Sequence, residues 1–536
     1  MERAPDPMED EEINATITGL TCARAMADAT MRYIERREFV YEEEQRRIAE
    51  AENELDVNEG VESMELPRKK SSKAIHREFV GSLKLDRPIA RGISLRKSLW
   101  ARPWTFPKVD RKAKRLWHSA KRVELFDIFI SHVWRTSWSL KFTSLILQSC
   151  WIFMLTAWVF VATLVFLLCF LGLLPLGWRY EAEALDTVVE CKLGPWIVGF
   201  SMPACLLGLL LAPCLPEVFF THVCFFDAAS IYHADAPLKK RSFEALGGFI
   251  SISKELRALW TPDFANRLWC IFEVAAFRKI NPEGRIVIAP LSIEVFVAML
   301  MPVTTAYGIT FMFVLAARQT VLVGALASSI AAVPVGYGVH LLRREMQSKK
   351  DMLTCLDRFD LDKVECDSEE DRRFLYSRMT DWFGSPGAFE QYVRVVIREE
   401  LSEQLSSSQI SAFYYFFPCI PLISVVLDFL VGFIRAGIPA PWEVSFVISV
   451  AVGFGLWVSV ATALLLNSCH FFSAPSGSWI WDVTKTSLIV IAWAAFQIGG
   501  LLISILCHMT SIWAVFAWSC SALLLFRLFL RCVRVG

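Results

Sequence analysis

Residues 142–178 read FTSLILQSCWIFMLTAWVFVATLVFLLCFLGLLPLGW, a stretch of 37 residues that contains no Asp, Glu, Lys or Arg. An α-helix crosses the ~30 Å hydrocarbon core of a bilayer with about 20 apolar residues. The stretch is therefore long enough to span a membrane, and it predicts that the chain is a membrane protein.

Similar apolar runs recur along the rest of the chain. They occupy residues 193–216, 295–317, 319–342, 413–434, 444–466 and 486–526. At 1.5 Å per residue the last run would be about 61 Å long, twice a bilayer core. We expect it to fold into two spans that meet around residues 507–511, which brings the predicted total to about eight spans in four hairpins.

The distribution of Lys and Arg predicts the orientation. The loop between the first two spans, residues 177–194, holds two basic and four acidic residues, whereas the segments before span one and after span four are rich in Lys and Arg. The positive-inside rule assigns those basic segments to the cytosol. With an even number of spans, both termini are predicted to be cytosolic, and no outward loop is long enough to build a domain.

The overall composition agrees with a membrane protein. Apolar residues make up 54% of the 536, the mean hydropathy is +0.41, and 55 basic residues balance 55 acidic ones. These values exclude a collagen, a disordered chain, a small disulfide scaffold and a protein that binds nucleic acid through bulk charge. The 15 Cys residues form no paired CxxC spacing, so we expect reduced thiols and no metal site.

The zero net charge conceals two oppositely charged segments. Residues 1–66 carry a net charge of −12, and residues 67–122 carry +15. The basic segment 67–122 has Trp residues among its Lys and Arg, so it could contact anionic lipid head groups, or it could be a solvated linker on the positive side. Residues 31–54 have the composition of a solvated helix, and disorder is the alternative.

The cytosolic residues 217–291 alternate between apolar strand-like runs and helical runs, which predicts a parallel α/β sheet. About 75 residues are few for such a domain. A further strand, FDIFISHVW at residues 126–134, precedes span one. Because two spans return the chain to the same side, we expect one cytosolic domain that is interrupted by a transmembrane hairpin.

Three motifs in this domain resemble the TIR-like family. The first strand of that family has the form D-x-F-I-S-H, which residues 127–132 match as DIFISH. A later strand ends in S-P-x-Y, where residues 261–264 read TPDF, and a following helix begins R-L-W-C-x-x-E, which residues 267–273 match at every fixed position. The chain most resembles protist-type multi-pass membrane proteins with a TIR-like domain, and the resemblance implies a flavodoxin-like parallel sheet.

The resemblance implies two classes of function. Some TIR-like domains associate with one another in signalling, and others hydrolyse NAD with a glutamate on the W-C-x-x-E helix. That glutamate falls on Glu273, whose carboxylate could stabilise an oxocarbenium-like ribose; the alternative is a solvated Glu273 or one that pairs with a neighbour such as Arg278. Asp227, His132, Ser131 and Trp269 are the accompanying candidates for binding NAD. Asp227 and His132 are also candidates independently of the resemblance. Both are expected at the carboxyl ends of their strands, where α/β proteins bind ligands.

Asp428 lies inside the fifth predicted span, where a carboxylate marks a candidate functional site. It also lies near the end of that span, so it could reach the interface beside Arg435. The alternative to a signalling protein is therefore a channel or transporter with a regulatory cytosolic domain.

The predicted organisation combines these segments into an α-helical multi-pass membrane protein with a cytosolic TIR-like α/β domain. Its parts are a charged region at 1–120, partly helical or disordered, a split α/β domain at 121–140 and 217–291, transmembrane hairpins at 142–216 and 292–342, a cytosolic helical module at 343–410, and four spans at 411–531.

Overall fold

The structure is a computed structural model that describes residues 85–100, 117–184, 187–215, 222–233, 235–316, 321–406 and 412–535, together with Val80, Leu83 and Lys114. The predicted helix at 31–54 lies outside these residues, as does much of the basic segment 67–122.

Seven helices in the described part of the chain are long and apolar enough to cross a membrane. They are Trp138–Phe170, Trp196–Cys214, Ile293–Ala316, Cys419–Ala436, Ala440–Phe471, Trp479–Thr510 and Ile512–Phe529. The chain is thus a membrane protein, and these helices match seven of the eight predicted spans. The last apolar run is two helices, because one ends at Thr510 and the next begins at Ile512.

The remaining predicted span, the fourth, coincides with the long helix Val321–Asp357. The side chains of residues 321–332 in this helix are outside the described set. The total of eight spans therefore stays a prediction.

Within the described residues, eight strands form two sheets. Their bounds are β1 Arg91–Ser94, β2 Lys121–Arg122, β3 Phe126–His132, β4 Trp178–Ala184, β5 Thr187–Leu193, β6 Val223–Phe225, β7 Ser253–Trp260 and β8 Arg285–Pro290. The larger sheet has the order β2-β1-β6-β3-β7-β8, and the smaller one is the hairpin β4-β5. Strands β6, β3, β7 and β8 run parallel to one another, while β1 runs antiparallel to both of its neighbours, so the larger sheet is mixed.

Strand β3 lies near the middle of this sheet although it precedes the first two apolar helices in the chain. Ile128 on β3 is in register with Cys224 on one side and with Glu255 on the other. The sheet therefore joins residues from before and after residues 138–214.

The α-helices, in chain order, are α1 Leu95–Trp100, α2 Trp138–Phe170, α3 Trp196–Leu211, α4 Asp227–Ser230, α5 Ala236–Glu244, α6 Leu246–Ser251, α7 Leu268–Ile280, α8 Leu291–Ala316, α9 Val321–Asp357, α10 Glu369–Phe383, α11 Pro386–Tyr392, α12 Arg398–Ser406, α13 Ala412–Phe416, α14 Cys419–Ala436, α15 Ala440–Val447, α16 Gly455–Phe471, α17 Trp479–Thr510 and α18 Ile512–Val535. Two π-helical segments, Val393–Ile397 and Ile448–Phe454, continue α11 into α12 and α15 into α16.

The larger sheet is covered by the long apolar helices on one face and by shorter helices on the other. Ile128, Ile130 and Leu259 point to the first face and pack in one core with Leu145 and Cys150 of α2. The side chains of the residues in between point to the opposite face, because successive side chains of a strand alternate between the two faces of a sheet. A parallel sheet needs cover on both faces, and here the spanning helices supply one of the two layers.

The second face packs against α6, α7 and the helices that follow α9. Phe129, Leu256 and Trp260 belong to this core. On α7, Phe272 lies 5.4 Å from Trp382 and 6.0 Å from Phe389 between ring centroids. The helices α10 and α11 thus form an outer layer over α7.

Two elements differ from the sequence-based expectation. Strand β1 lies within residues 1–120, for which only helix or disorder was expected, and it pairs with β6. The loop between the first two spans is the hairpin β4-β5, paired from Trp178 with Leu193 to Ala184 with Thr187. The hairpin is held against α14, because Tyr180 packs against Phe429 and Phe433 at 5.7 and 6.4 Å between ring centroids.

Candidate functional site

The carboxyl ends of β3 and β6 bring three of the predicted site residues together. Ser131 and His132 end β3, and Asp227 lies two residues after the end of β6. His132 Nε2 lies 3.6 Å from Asp227 Oδ1, and the Ala228 N–H donates to the same oxygen at 2.8 Å. The His233 ring contacts the Asp227 backbone oxygen at 3.3 Å. This is the edge at which parallel sheets bind ligands.

Glu273 projects from the second turn of α7 towards this edge. It is only 5% exposed, so it is not solvated. It also does not pair with Arg278, because the Arg278 guanidinium binds Glu400 instead. Glu273 is therefore neither solvated nor paired with Arg278.

The surroundings of Glu273 change its protonation. Burial raises the pKa of Glu273 from 4.5 to about 8; the Ser131 and Trp269 side chains act in the opposite direction, and the charge of Asp227 adds to the rise. At neutral pH the Glu273 carboxyl is therefore mostly protonated. A neutral carboxyl can remain buried without a counter-ion, which an ionised one could not do cheaply.

Asp227 and His132 are shifted for the same physical reason. Burial raises the pKa of Asp227 to about 7, opposed by the Ala228 N–H and by the charge of Lys141. Burial and the same lysine lower the pKa of His132 well below its ordinary value. The site thus combines a neutral imidazole with two carboxyls that titrate near neutrality, and such a pair can hold and exchange a proton.

Lys141 belongs to this site and was missed by sequence reasoning. It lies in the first turn of α2 and is completely buried. Its ammonium is within electrostatic range of His132, Asp227 and Cys270. In the described part of the chain, no hydrogen-bond acceptor lies within reach of Nζ.

The two remaining predicted residues are Ser131 and Trp269. Ser131 is completely buried beside Glu273. Trp269 is half-buried, and its ring lies 5.3 Å from Phe243 of α5 and 6.2 Å from Phe374 of α10 between ring centroids.

The carboxyls of Asp227 and Glu273, which form the acidic centre of this edge, are enclosed by neighbouring side chains. Ser131 and Lys141 have no exposed surface, His132 and Glu273 have very little, and the most accessible of the group is the Asp227 side chain at 18%. A ligand could touch Asp227 from the solvent, but access to Glu273 requires side chains to move.

Asp428 has a structural explanation. Its two carboxylate oxygens accept the backbone N–H groups of Ile197 and Val198 at 2.8 and 3.0 Å, and the residue is completely buried. Asp428 therefore caps the start of α3, where the N–H groups of a helix have no partner of their own. The expected neighbour Arg435 binds the Cys169 carbonyl instead, at 3.1 Å.

The described residues contain no group of three or more His, Cys, Asp or Glu side chains that could hold a metal ion. Comparison of the chain with protein-family models, with curated proteins and with solved structures returns no match. The functional argument therefore depends on the geometry of this edge.

Proposed function

We propose that this chain is a membrane protein whose cytosolic sheet is a TIR-like domain that works in signalling by self-association. Three observations support the proposal. The DIFISH and RLWC-x-x-E motifs lie on a central parallel strand and on the helix beside it, the strands at this point run parallel, and the acidic centre is closed.

The closed edge is the observation that favours a module over an open enzyme. An enzyme needs a cleft that admits its substrate to the reacting carboxylate. Glu273 is 5% exposed, and its carboxyl is mostly neutral at pH 7. A domain that acts by binding other copies of itself has no such requirement.

Self-association is tested with the full-length chain in liposomes. Single-molecule photobleaching would count the copies in each particle at several protein-to-lipid ratios. We expect the fraction of particles with two or more copies to rise with density beyond random co-occupancy, and we expect Glu273→Gln to leave it unchanged. Random co-occupancy at every density would refute the proposal.

NAD cleavage is the second candidate, because a buried glutamate and an aspartate meet at the edge where α/β proteins bind ligands. Incubating the purified chain with NAD and measuring released nicotinamide tests it. Glu273→Gln should abolish the release, while Glu283→Gln, which alters an exposed glutamate just after the same helix, should not. Release that survives Glu273→Gln would exclude Glu273 as the catalytic residue.

A channel or transporter remains the alternative from a different class. Its best candidate residue was Asp428, and both oxygens of that carboxylate are occupied by backbone N–H groups. This arrangement favours an anchor between α14 and α3 over a solute path. Ion or solute flux through liposomes that depends on Asp428 would reverse this preference.

The orientation and lipid contacts complete the proposal. We place both termini in the cytosol by the positive-inside rule, and the basic segment 67–122 against anionic lipids. Protease protection of terminal tags in sealed vesicles tests the first point. Binding of the segment to anionic vesicles, lost at high salt, tests the second.

A further inference from the structure

The helix α2 is longer than a bilayer requires. Its 33 residues extend about 50 Å, whereas the hydrocarbon core is about 30 Å thick. Roughly the first 13 residues can therefore lie outside the hydrocarbon, and Lys141, Ser144 and Gln148 are in this part. These three residues are spaced three and four positions apart, so they share one face of the helix.

This face is held against the sheet and its neighbouring helix by polar contacts. Gln148 Nε2 donates to Glu294 Oε1 at 2.7 Å and to Ser144 Oγ at 3.1 Å. Arg257 on β7 donates to the other side of the same amide, Gln148 Oε1, at 3.4 Å. The start of α2 is thus connected directly to a central strand of the sheet.

At the first turn of α2, Lys141 lies within electrostatic range of Asp227 and Cys270. It is completely buried, and its ammonium has no hydrogen-bond acceptor and no carboxylate within 4 Å among the described residues. A buried charge is normally paired, because an unpaired one loses its hydration without replacement. The charge of Lys141 therefore makes this buried arrangement costly.

We propose that Lys141 is a plug carried by the first spanning helix, and that a shift of this helix withdraws the plug and opens the edge around Asp227 and Glu273. The inference concerns access to the edge. It requires neither NAD cleavage nor self-association, so it can fail or succeed independently of the proposed function.

Access is measured at Cys270, a 3% exposed thiol that donates to the backbone oxygen of His132 at 3.6 Å. The full-length chain in detergent is exposed to hydroxyl radicals, which react with a thiol whatever its ionisation, so the charge of Lys141 does not itself set the rate at Cys270. Labelling of each cysteine is followed by peptide mass spectrometry. Cys224 is the internal reference, because it is fully buried in the same sheet but packs towards the spans, with Ile93 O as its acceptor.

Two substitutions separate the volume of the plug from its charge. Lys141→Ala removes the volume, so Cys270 should label about tenfold faster than in the wild type with no change at Cys224. Lys141→Met keeps the volume and removes the unpaired charge, so the edge should close more tightly and Cys270 should label about tenfold more slowly. Lys254→Met, at an exposed lysine on the same sheet, should change neither rate.

The results decide the proposal even if Lys141→Ala fails to fold, because Lys141→Met must protect Cys270 on its own. Labelling of Cys270 in Lys141→Met at the wild-type rate or faster would overturn the proposal. A parallel rise at Cys224 and Cys270 in Lys141→Ala would also overturn it, since that result indicates general loosening of the sheet.

Discussion

The ion pair between Arg278 and Glu400 is expected to attach the outer helical layer to the sheet, and replacing Glu400 by glutamine tests this. Both side chains are at least nine-tenths buried, and the guanidinium reaches both carboxylate oxygens. Glu400→Gln leaves the guanidinium charged, buried and without its carboxylate. Removing one partner of a buried pair costs about 3–5 kcal/mol.

The local geometry places the expected loss at the lower end of this range. Arg278 Nη1 also donates to the backbone oxygens of Pro282 and Gly284, the latter at 2.9 Å, and these contacts survive the substitution. We therefore expect a loss of about 3 kcal/mol. For a cooperative unit of roughly 200 residues this lowers the melting temperature by about 6–12 °C.

The assay is thermal unfolding of the purified full-length chain, followed by tryptophan fluorescence, for Glu400→Gln, Arg278→Met and the double variant. The double variant should recover much of the loss, because it removes both charges. Asp357→Asn is the matched control, since it breaks the exposed pair with Arg398 and should cost less than 1 kcal/mol. Additive losses in the double variant, or a Glu400→Gln effect no larger than the control, would refute the reasoning.

Three further predictions concern the spans and the acidic edge. Asp428→Ala leaves two buried N–H groups of α3 without acceptors and should cost about 2–6 kcal/mol in thermal unfolding, whereas Asp428→Asn should cost less because its amide oxygen still accepts one bond. Gly208→Ala should lower the melting temperature, because the added Cβ would meet the Phe153 backbone oxygen at 2.7 Å, while Gly199→Ala, with nothing within 4 Å, should not. Between about pH 4.5 and 8 the folded protein keeps a proton on Glu273 that the unfolded chain releases, so stability should fall as pH rises through this window. Glu273→Gln should flatten that part of a plot of melting temperature against pH. An unchanged slope would contradict the assignment.

The strands of the larger sheet were largely predictable, because their apolar runs are bounded by polar turns. The FDIFISH run is β3, and the runs around residues 223–225, 253–260 and 285–290 are the strands beside it. The positions of Ser131, His132 and Asp227 at one edge follow from that pattern alone. Strand β1 was missed because RGIS is short and lies in a charged segment whose sequence shows no alternation.

The environment of the site was less predictable, because sequence patterns treat charged residues as solvated. Lys141 was used to mark where the first span begins, and the structure buries it beside Asp227. Arg278 is close enough in sequence to be one alternative partner of Glu273, but a residue more than a hundred positions later, Glu400, binds it. Such partners are set by tertiary packing, and local spacing contains no information about them.

The sequence of the β4-β5 hairpin contains a pattern that is typical of strands. In WRYEAEA and TVVECKL, apolar and polar residues alternate, which is the period of a strand with one buried face. The acidic residues of this loop indicate the orientation of the spans by their charge. Their alternation with apolar residues also predicts the hairpin.

A sheet that joins residues on both sides of a membrane hairpin also constrains the order of synthesis. Strand β3 leaves the ribosome about 90 residues before β6, and its neighbours in the sheet cannot pair with it until α2 and α3 have been made. At 5–20 residues per second, β3 waits about 5–18 s with both of its edges unpaired. An apolar strand in that state can pair with the wrong chain. The larger sheet should therefore depend on rapid insertion of the first two spans, and slow insertion should appear as aggregation of the sheet.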